Sequence, residues 1–418
     1  MNVTITPGPL AGTITPPPSK SQAHRLLIAA ALAEGESVLT NVALSQDIEA
    51  TLRCLAALGA GAVREGDSLR VEGLGGRRGS VSPCMCDAPH FDCGESGSTL
   101  RFLIPVALAA AGGGFFTGRG RLLARPQKPY EDLLREKGIF FSHKPDAISV
   151  RGELKAGVYA LPGDVSSQFV TGLLYALPLL EGDSVIQLTC DLESRRYVDM
   201  TLQALERFGV EARADGPRRF RVPGGQRYRA GRARVEGDWS NAAFWYAANA
   251  LGGRVDIRGL DPDSAQGDRE IARFAALLAR PGEAELDVSQ CPDLVPPLAA
   301  MAALRPGQVT SLVGAARLRI KESDRLATVT ATLNAMGARV EEHPDSLTIR
   351  GLEELAGGVT VDGCNDHRIA MLAAVAASRC AAPVTVTGAE CVAKSYPNFW
   401  EDYEAMGGGL DRKGGAHP

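Results

Sequence analysis

Lysine is scarce in this chain of 418 residues. Lysine and arginine together number 45, yet only eight are lysines, at 20, 128, 137, 144, 155, 321, 394 and 413. A lysine inside a motif therefore carries more information than usual. Acidic residues number 49 and the formal net charge is −4, so no bulk attraction to nucleic acid is expected. Long apolar runs are missing. The stretch 102–116 holds Pro105 and three glycines. It is shorter than the roughly 18 residues a membrane helix needs, so no membrane partner is expected. The start MNVTITPGPLAG has no basic n-region and no apolar core, and a cytoplasmic location is expected. The nine cysteines follow no disulfide framework. Cys84, Cys86 and Cys93 come nearest to a cluster. They lack the second Cys or His pair of a zinc site, so inert thiols and no metal are expected. There is no G-x-x-x-x-G-K-[ST], no G-x-G-x-x-G spacing and no H-E-x-x-H. These absences point away from ATP, NAD and zinc-protease chemistry.

What is present is an ordinary globular balance, 45% apolar and 22% charged, at a length that suits two or three domains. Two interleaved series run along it. The first is an amphipathic helix pattern ending in glycine, at Gly59, Gly138, Gly209, Gly282, Gly337 and Gly407. Glycine suits the position past a helix end because positive φ costs it nothing. The second places polar residues before a nearly all-apolar helix, as in SKSQAHRLLIAAALAEG, ESGSTLRFLIPVALAAAGG, SSQFVTGLLYALPLLEG, DWSNAAFWYAANALGG, CPDLVPPLAAMAALRPG and NDHRIAMLAAVAASR. A helix apolar on nearly every face must be buried. Strand-like runs such as SVLTNV, SLRVEG, SVIQLTC, SLTIRG and PVTVTG lie between. The unit is thus about 70 residues, six times over, and three units per domain give two similar domains cored by helices. Residues 216–238, rich in Gly, Pro and Arg, read as a linker, and the tail GGGLDRKGGAHP as frayed. TPPPSK (15–20) reads as the other strand of a hinge, which assigns the N-terminal residues to the second half.

Polar residues gather before the helices, where unpaired N–H groups and the positive dipole end favour anions. They are Ser19, Lys20, Ser21 and Arg25; Glu95, Ser96, Gly97 and Ser98; Arg121 and Arg125; Ser166, Ser167 and Gln168; Ser194 and Tyr197; Asp293; Lys321, Glu322, Ser323, Asp324 and Arg325; Asn365, Asp366, His367 and Arg368; and Lys394. Singly, each has a plain structural reading. Ser166 and Ser167 suit helix caps. Lys321, Glu322 and Arg325 suit a solvated helix face. Asp366-His367-Arg368 suits a cap and a core histidine. Arg125 suits an ordinary loop, and Lys394 suits snorkelling over an aromatic helix. Gly97 suits a turn that needs only its φ angle. Their joint placement at equivalent repeat positions favours small polyanions as ligands.

The segments SKSQAHR (19–25), CGESGSTLRFL (93–103), RLLARP (121–126), DVSSQF (164–169), SRRY (194–197), PDL (292–294), RIKESDR (319–325), NDHR (365–368) and AKSYP (393–397) resemble those of the 5-enolpyruvylshikimate-3-phosphate synthases, in order across almost the whole chain. The resemblance implies an α/β (α+β) fold of two similar domains, each of three βαβαββ units with buried parallel helices, an inside-out α/β barrel. The expected boundaries are 19–233 for one domain and 1–18 with 234–418 for the other, with the hinge near 15–20 and 230–238. It implies transfer of the enolpyruvyl group of phosphoenolpyruvate to the 5-hydroxyl of shikimate 3-phosphate, without cofactor or metal, by a monomer.

By the same resemblance, shikimate 3-phosphate is held by Lys20, Ser21, Arg25, Ser166, Ser167, Gln168, Ser194, Tyr197, Asp293 and Lys321. Phosphoenolpyruvate is held by Lys20, Gly97, Arg125, Gln168, Arg325, Arg368 and Lys394. The catalytic residues are Asp293 as base, Glu322 as proton donor and Lys20 as proton-transfer partner and clamp. The two substrates bring roughly −5 to −6 of charge. Lys20, Arg25, Arg125, Lys321, Arg325, Arg368 and Lys394 can balance it. Glu95 and Arg317 depart from the pattern, standing where many or some members have Asn. The UDP-N-acetylglucosamine 1-carboxyvinyltransferases, the nearest alternative, carry a reactive Cys beside their Arg-Pro motif. GRGRLLARPQKPY has none. A non-catalytic anion-binding protein on the same fold is the other alternative, and it predicts loss of an acid–base residue; Asp293 and Glu322 are both present.

Overall fold

The computed structural model describes residues 1–75 and 87–413. Cys84, Cys86 and the tail beyond 413 lie outside the described residues. Twelve α-helices among those described alternate in character. They are α1 (Lys20–Leu32), α2 (Gln46–Ala57), α3 (Gly97–Ala111), α4 (Lys128–Glu136), α5 (Ser167–Ala176), α6 (Arg195–Arg207), α7 (Trp239–Ala250), α8 (Ile271–Leu278), α9 (Val295–Ala303), α10 (Arg325–Ala335), α11 (His367–Ala377) and α12 (Phe399–Ala405). The odd-numbered members are the apolar series. Every residue of α9 and α11 is buried. The even-numbered members bury one stripe, as α4 does with Pro129, Tyr130, Leu133 and Leu134. The six glycines of the first series all take positive φ.

Chain proximity divides the molecule into two units, Met1–Pro17 with Gly237–Pro418, and Pro18–Glu236. Each has its own apolar core. One sheet pattern recurs within both. Two parallel strands flank a buried helix, and an antiparallel hairpin extends them. His90–Asp92 pairs parallel with Gly113–Thr117, which pairs antiparallel with Ile148–Arg151 and so with Phe140–His143. Parallel neighbours need such a helical crossover. Val158–Leu161 with Ser184–Leu188, and Ala284–Asp287 with Val309–Val313, repeat the scheme.

Two expectations fail here. Residues 216–238 are not a free linker. Arg219–Val222 is a sheet strand beside Ser184–Leu188, and Arg232–Arg234 pairs with Glu36–Thr40. The arginines point outward while Phe220 and Val222 are fully buried, so the composition hid the alternation. Nor is the described part of the tail frayed. Gly409–Lys413 pairs antiparallel with Asn2–Thr6, which also pairs with Val384–Thr387. The strand adds Leu410, half-buried against the core that its partner enters with Val3 and Ile5. No helix among the described residues is long and apolar enough to cross a membrane. Seven described cysteines are free thiols.

Candidate active site

In the unit Pro18–Glu236 the buried helices α1, α3 and α5 begin on serines. Ser19, Ser96 and Ser166 each accept a hydrogen bond from a first-turn N–H of their helix. Neutral caps satisfy a donor without cancelling the positive helix end. Helices α3 and α5 run side by side in parallel. Gly172 lets them touch, since a Cβ there would lie 2.5 Å from the Arg101 carbonyl oxygen.

This packing sets Gln168 at the start of α5 against the start of α3. Its amide oxygen accepts from Arg101 Nη1 at 2.7 Å, and its Nε2 donates to Ser98 Oγ at 3.0 Å. Arg101 also donates to the Pro126 carbonyl and lies over the Phe169 ring. Sequence reasoning missed Arg101. Its signal was a lone charge inside an apolar helix. Arg125 is not an ordinary loop charge, for it is buried. Its Nη1 would stand 2.8 Å from a Cβ at Gly97. Gly97 does not take positive φ, although Gly94 does. The φ angle of Gly97 asks for no glycine, which overturns the turn reading; what a Cβ there would meet is the end of the Arg125 side chain.

Lys20 opens α1 and donates to Asp47 Oδ2 at 2.9 Å. Arg25, one turn on, is buried. It donates to the Ser21 carbonyl, the Tyr197 carbonyl and Thr201 Oγ1, which ties α1 to the start of α6. Burial lowers its pKa from the ordinary arginine value. Ser194 sits at that start with φ +53, an uncommon conformation for a non-glycine residue. Glu95 packs its carboxylate on the loop backbone at Gly120, where a Cβ would come within 2.6 Å. The structure thus gathers Gly97, Arg125, Gln168 and Ser166–Ser167 into one group, and Lys20, Ser21, Arg25, Ser194 and Tyr197 along its neighbouring helices.

The second group lies in the other unit, at the starts of α9, α10 and α11. Arg325 is its hub and is 1% exposed, not on a solvated helix face. It donates through Nη1 to Asp293 Oδ1 at 2.7 Å, through Nη2 to Glu322 Oε2 at 2.6 Å, and through Nε to Asp366 Oδ2 at 2.8 Å. Asp366 caps α11 by accepting from Arg368 N and also takes the Ser323 hydroxyl. Arg368 Nη2 reaches Asp293 Oδ2 at 3.2 Å, and Lys321 Nζ stands 3.4 Å from Asp293 Oδ1. Burial pushes the Asp293 carboxyl up, but Arg368, Lys321 and Arg325 outweigh it and hold it well below the usual carboxylate range. Burial lowers Lys321, with Asp293 opposing.

Lys394 does not snorkel. It is buried and donates to the Asn365 carbonyl at 2.6 Å. His367 is buried at the head of α11. Arg317 donates to the Ser289 carbonyl at 2.7 Å. Asp268 was also missed by sequence reasoning. Burial, then the neighbouring Asp293 carboxylate, raises it to about 6.

The group thus offers three carboxylates, Asp293, Glu322 and Asp366, on one guanidinium, with Lys321 and Arg368 as further cations beside Asp293. Such a site can take up anions and move protons. Comparison with known proteins shows the family. A 3-phosphoshikimate 1-carboxyvinyltransferase of Clostridium kluyveri is 45% identical over 98% of both chains, and one of Clostridium beijerinckii 42% over 98% of both. A solved EPSP synthase from Acinetobacter baumannii superposes with a TM-score of 0.78 at 26% identity, covering 98% of this chain and 100% of that one. Residues 5–403 match the sequence profile of the family described as EPSP synthase (3-phosphoshikimate 1-carboxyvinyltransferase), and the chain belongs to that family.

Proposed function

We propose that the protein transfers the enolpyruvyl group of phosphoenolpyruvate to the 5-hydroxyl of shikimate 3-phosphate and releases inorganic phosphate. The observation that carries the mechanism is the Asp293–Arg325–Glu322 arrangement, two carboxylates within 2.7 Å of a single buried guanidinium. Asp293 takes the proton of the 5-hydroxyl as its oxygen attacks C2 of phosphoenolpyruvate. Glu322 gives a proton to the methylene carbon. The resulting tetrahedral adduct then loses a proton from that methyl carbon together with its phosphate, which restores the double bond. Lys20 serves as clamp and proton-transfer partner.

The cations that meet the ligand charge are divided between the two groups. Lys20, Arg25 and Arg125 belong to one, and Lys321, Arg325, Arg368 and Lys394 to the other. In our assignment Ser166, Ser167, Gln168, Ser194, Tyr197 and Ser21 complete the shikimate 3-phosphate contacts, and Gly97 opens the backbone to phosphoenolpyruvate. Capping supports this assignment. The serine-capped helix starts leave their dipoles for a ligand, whereas Asp366 already offsets that of α11. The test is phosphate release on mixing the purified protein with both substrates. Release that needs both, with formation of the enolpyruvyl product, is expected. No release, or release from phosphoenolpyruvate with a UDP-sugar acceptor instead, overturns the reading.

A further inference from the structure

Four buried polar side chains link the first three helices, and the reaction above uses none of them. His24 Nδ1 on α1 lies 2.7 Å from Thr51 Oγ1 on α2. Thr51 Oγ1 lies 2.7 Å from Thr99 Oγ1 on α3. The Thr99 hydroxyl donates to Ser96 Oγ, also at 2.7 Å. All four are at most 1% exposed. Hydroxyls among apolar helices are costly unless each finds a partner, and valine would fill the space of either threonine.

The protons have one consistent arrangement. Thr99 has a single hydroxyl proton and gives it to Ser96. The contact with Thr51 therefore uses the Thr51 proton, and the contact with His24 uses a proton on Nδ1. Thr51 also donates to the Asp47 carbonyl, at 3.2 Å, so its one proton is shared between that oxygen and Thr99 and none is left for His24. His24 Nε2 is then a bare acceptor, and it has no hydrogen-bond partner among the described residues. A neutral ring fits, since burial, then Lys20 and Arg25, hold the imidazole well below its ordinary value.

The chain of hydroxyls ends on the cap of α3. Ser96 Oγ accepts from Thr99 N at 3.2 Å as well as from the Thr99 hydroxyl. The next residue is Gly97, beside Arg125. Where the cap sits decides where the first-turn amides of α3 point.

We propose that His24 is a positioning residue for phosphoenolpyruvate: through Thr51 and Thr99 it fixes the Ser96 cap and with it the amide donors of Gly97 and Ser98. This rests on the assignment of Gly97 to the phosphoenolpyruvate site. His24 acts through α3 and touches no substrate. Asparagine places an amide N–H where the histidine has Nδ1–H, so His24→Asn keeps the donor and His24→Leu removes it.

The experiment is steady-state kinetics on the full-length parent and on His24→Leu, His24→Asn, Thr51→Val and Gly97→Ala. His24→Leu and Thr51→Val are expected to raise the KM for phosphoenolpyruvate at least about fivefold, while kcat and the KM for shikimate 3-phosphate stay within about twofold. His24→Asn is expected to stay within about twofold of the parent throughout. The inference is overturned if His24→Leu lowers kcat with both KM values unchanged, if it raises both KM values alike, or if asparagine fails to rescue. Should His24→Leu not fold, Thr51→Val carries the same test with its shape preserved. An unchanged phosphoenolpyruvate KM in Gly97→Ala removes the underlying assignment and the proposal with it. A raised KM there beside an unchanged one in His24→Leu removes the proposal alone.

Discussion

Asp293 and Asp268 are neighbours with opposite titration, and the opposition has a cause in single residues. Cations hold Asp293 low, while burial and Asp293 itself hold Asp268 high, at about 6. A carboxyl raised in the folded state binds its proton more tightly there than in the unfolded chain. Between about pH 4 and 6 it therefore makes folding less favourable as pH rises, by roughly 3 kcal/mol at most over two pKa units. Asp268→Asn should abolish that slope. Urea unfolding at pH 4.5 and pH 7 measures it, and parallel curves for parent and variant would count against the reading. Asp293→Asn keeps the shape and removes the base. Turnover should fall on the order of 10²-fold or more, with much less loss in shikimate 3-phosphate binding. Turnover within a few-fold of the parent would show that another group takes the proton. The sequence marked Asp293, Glu322 and Arg325 through their motifs. It did not mark Asp47, Arg101 or Asp268 as site residues, because their importance comes from partners far along the chain, such as Gln168 for Arg101.

Among the elements, the helices were the legible part. A helix such as α11, apolar on every side, can only be interior, and capping residues announce where it starts. Strands Arg219–Val222 and Gly409–Lys413 were not legible. Their reason to exist is a partner strand elsewhere in the chain, and GLDRK has no pattern of its own. Deleting residues 409–418 should test the second strand. It removes the pairing with Asn2–Thr6 and the bonds of Arg412 to Glu401 and Glu404. The ordering entropy of five residues offsets much of the gain, so a loss of about 1–2 kcal/mol is expected. Thermal unfolding should fall by roughly 2–6 °C, and an unchanged Tm would mean the strand adds nothing. The start of α3 gives another test. A methyl group from Gly97→Ala meets the flexible end of Arg125, so the fold should tolerate it. By the family resemblance glyphosate competes with phosphoenolpyruvate here and is the longer ligand. Its inhibition constant should rise at least about tenfold more than the phosphoenolpyruvate KM, a difference of roughly 1.4 kcal/mol. Paired inhibition assays decide; equal losses for both ligands would contradict it.

At the scale of the whole molecule, the two units differ in how the chain builds them. One is a continuous stretch, Pro18–Glu236, whose ends meet where Ser19 N donates to the Glu236 carbonyl at 2.8 Å. The other joins Met1–Pro17 to Gly237–Pro418. A continuous segment with its own core should fold when expressed alone. The fragment 18–236 is therefore expected to show helical circular dichroism and a single cooperative urea transition. A gradual, non-cooperative loss of signal would mean that its core depends on the rest of the chain.

The strand Asn2–Thr6 lies between Val384–Thr387 and Gly409–Lys413, so residues made early have partners that are made much later. On a ribosome working at about 5–20 residues per second, the segment through Glu236 can close its core while synthesis continues. The amino-terminal strand, with Val3 and Ile5, must wait on the order of ten seconds or longer for its neighbours. During that wait its two edges are unsatisfied, which makes those few residues the part of the newborn chain most in need of protection from pairing with another copy.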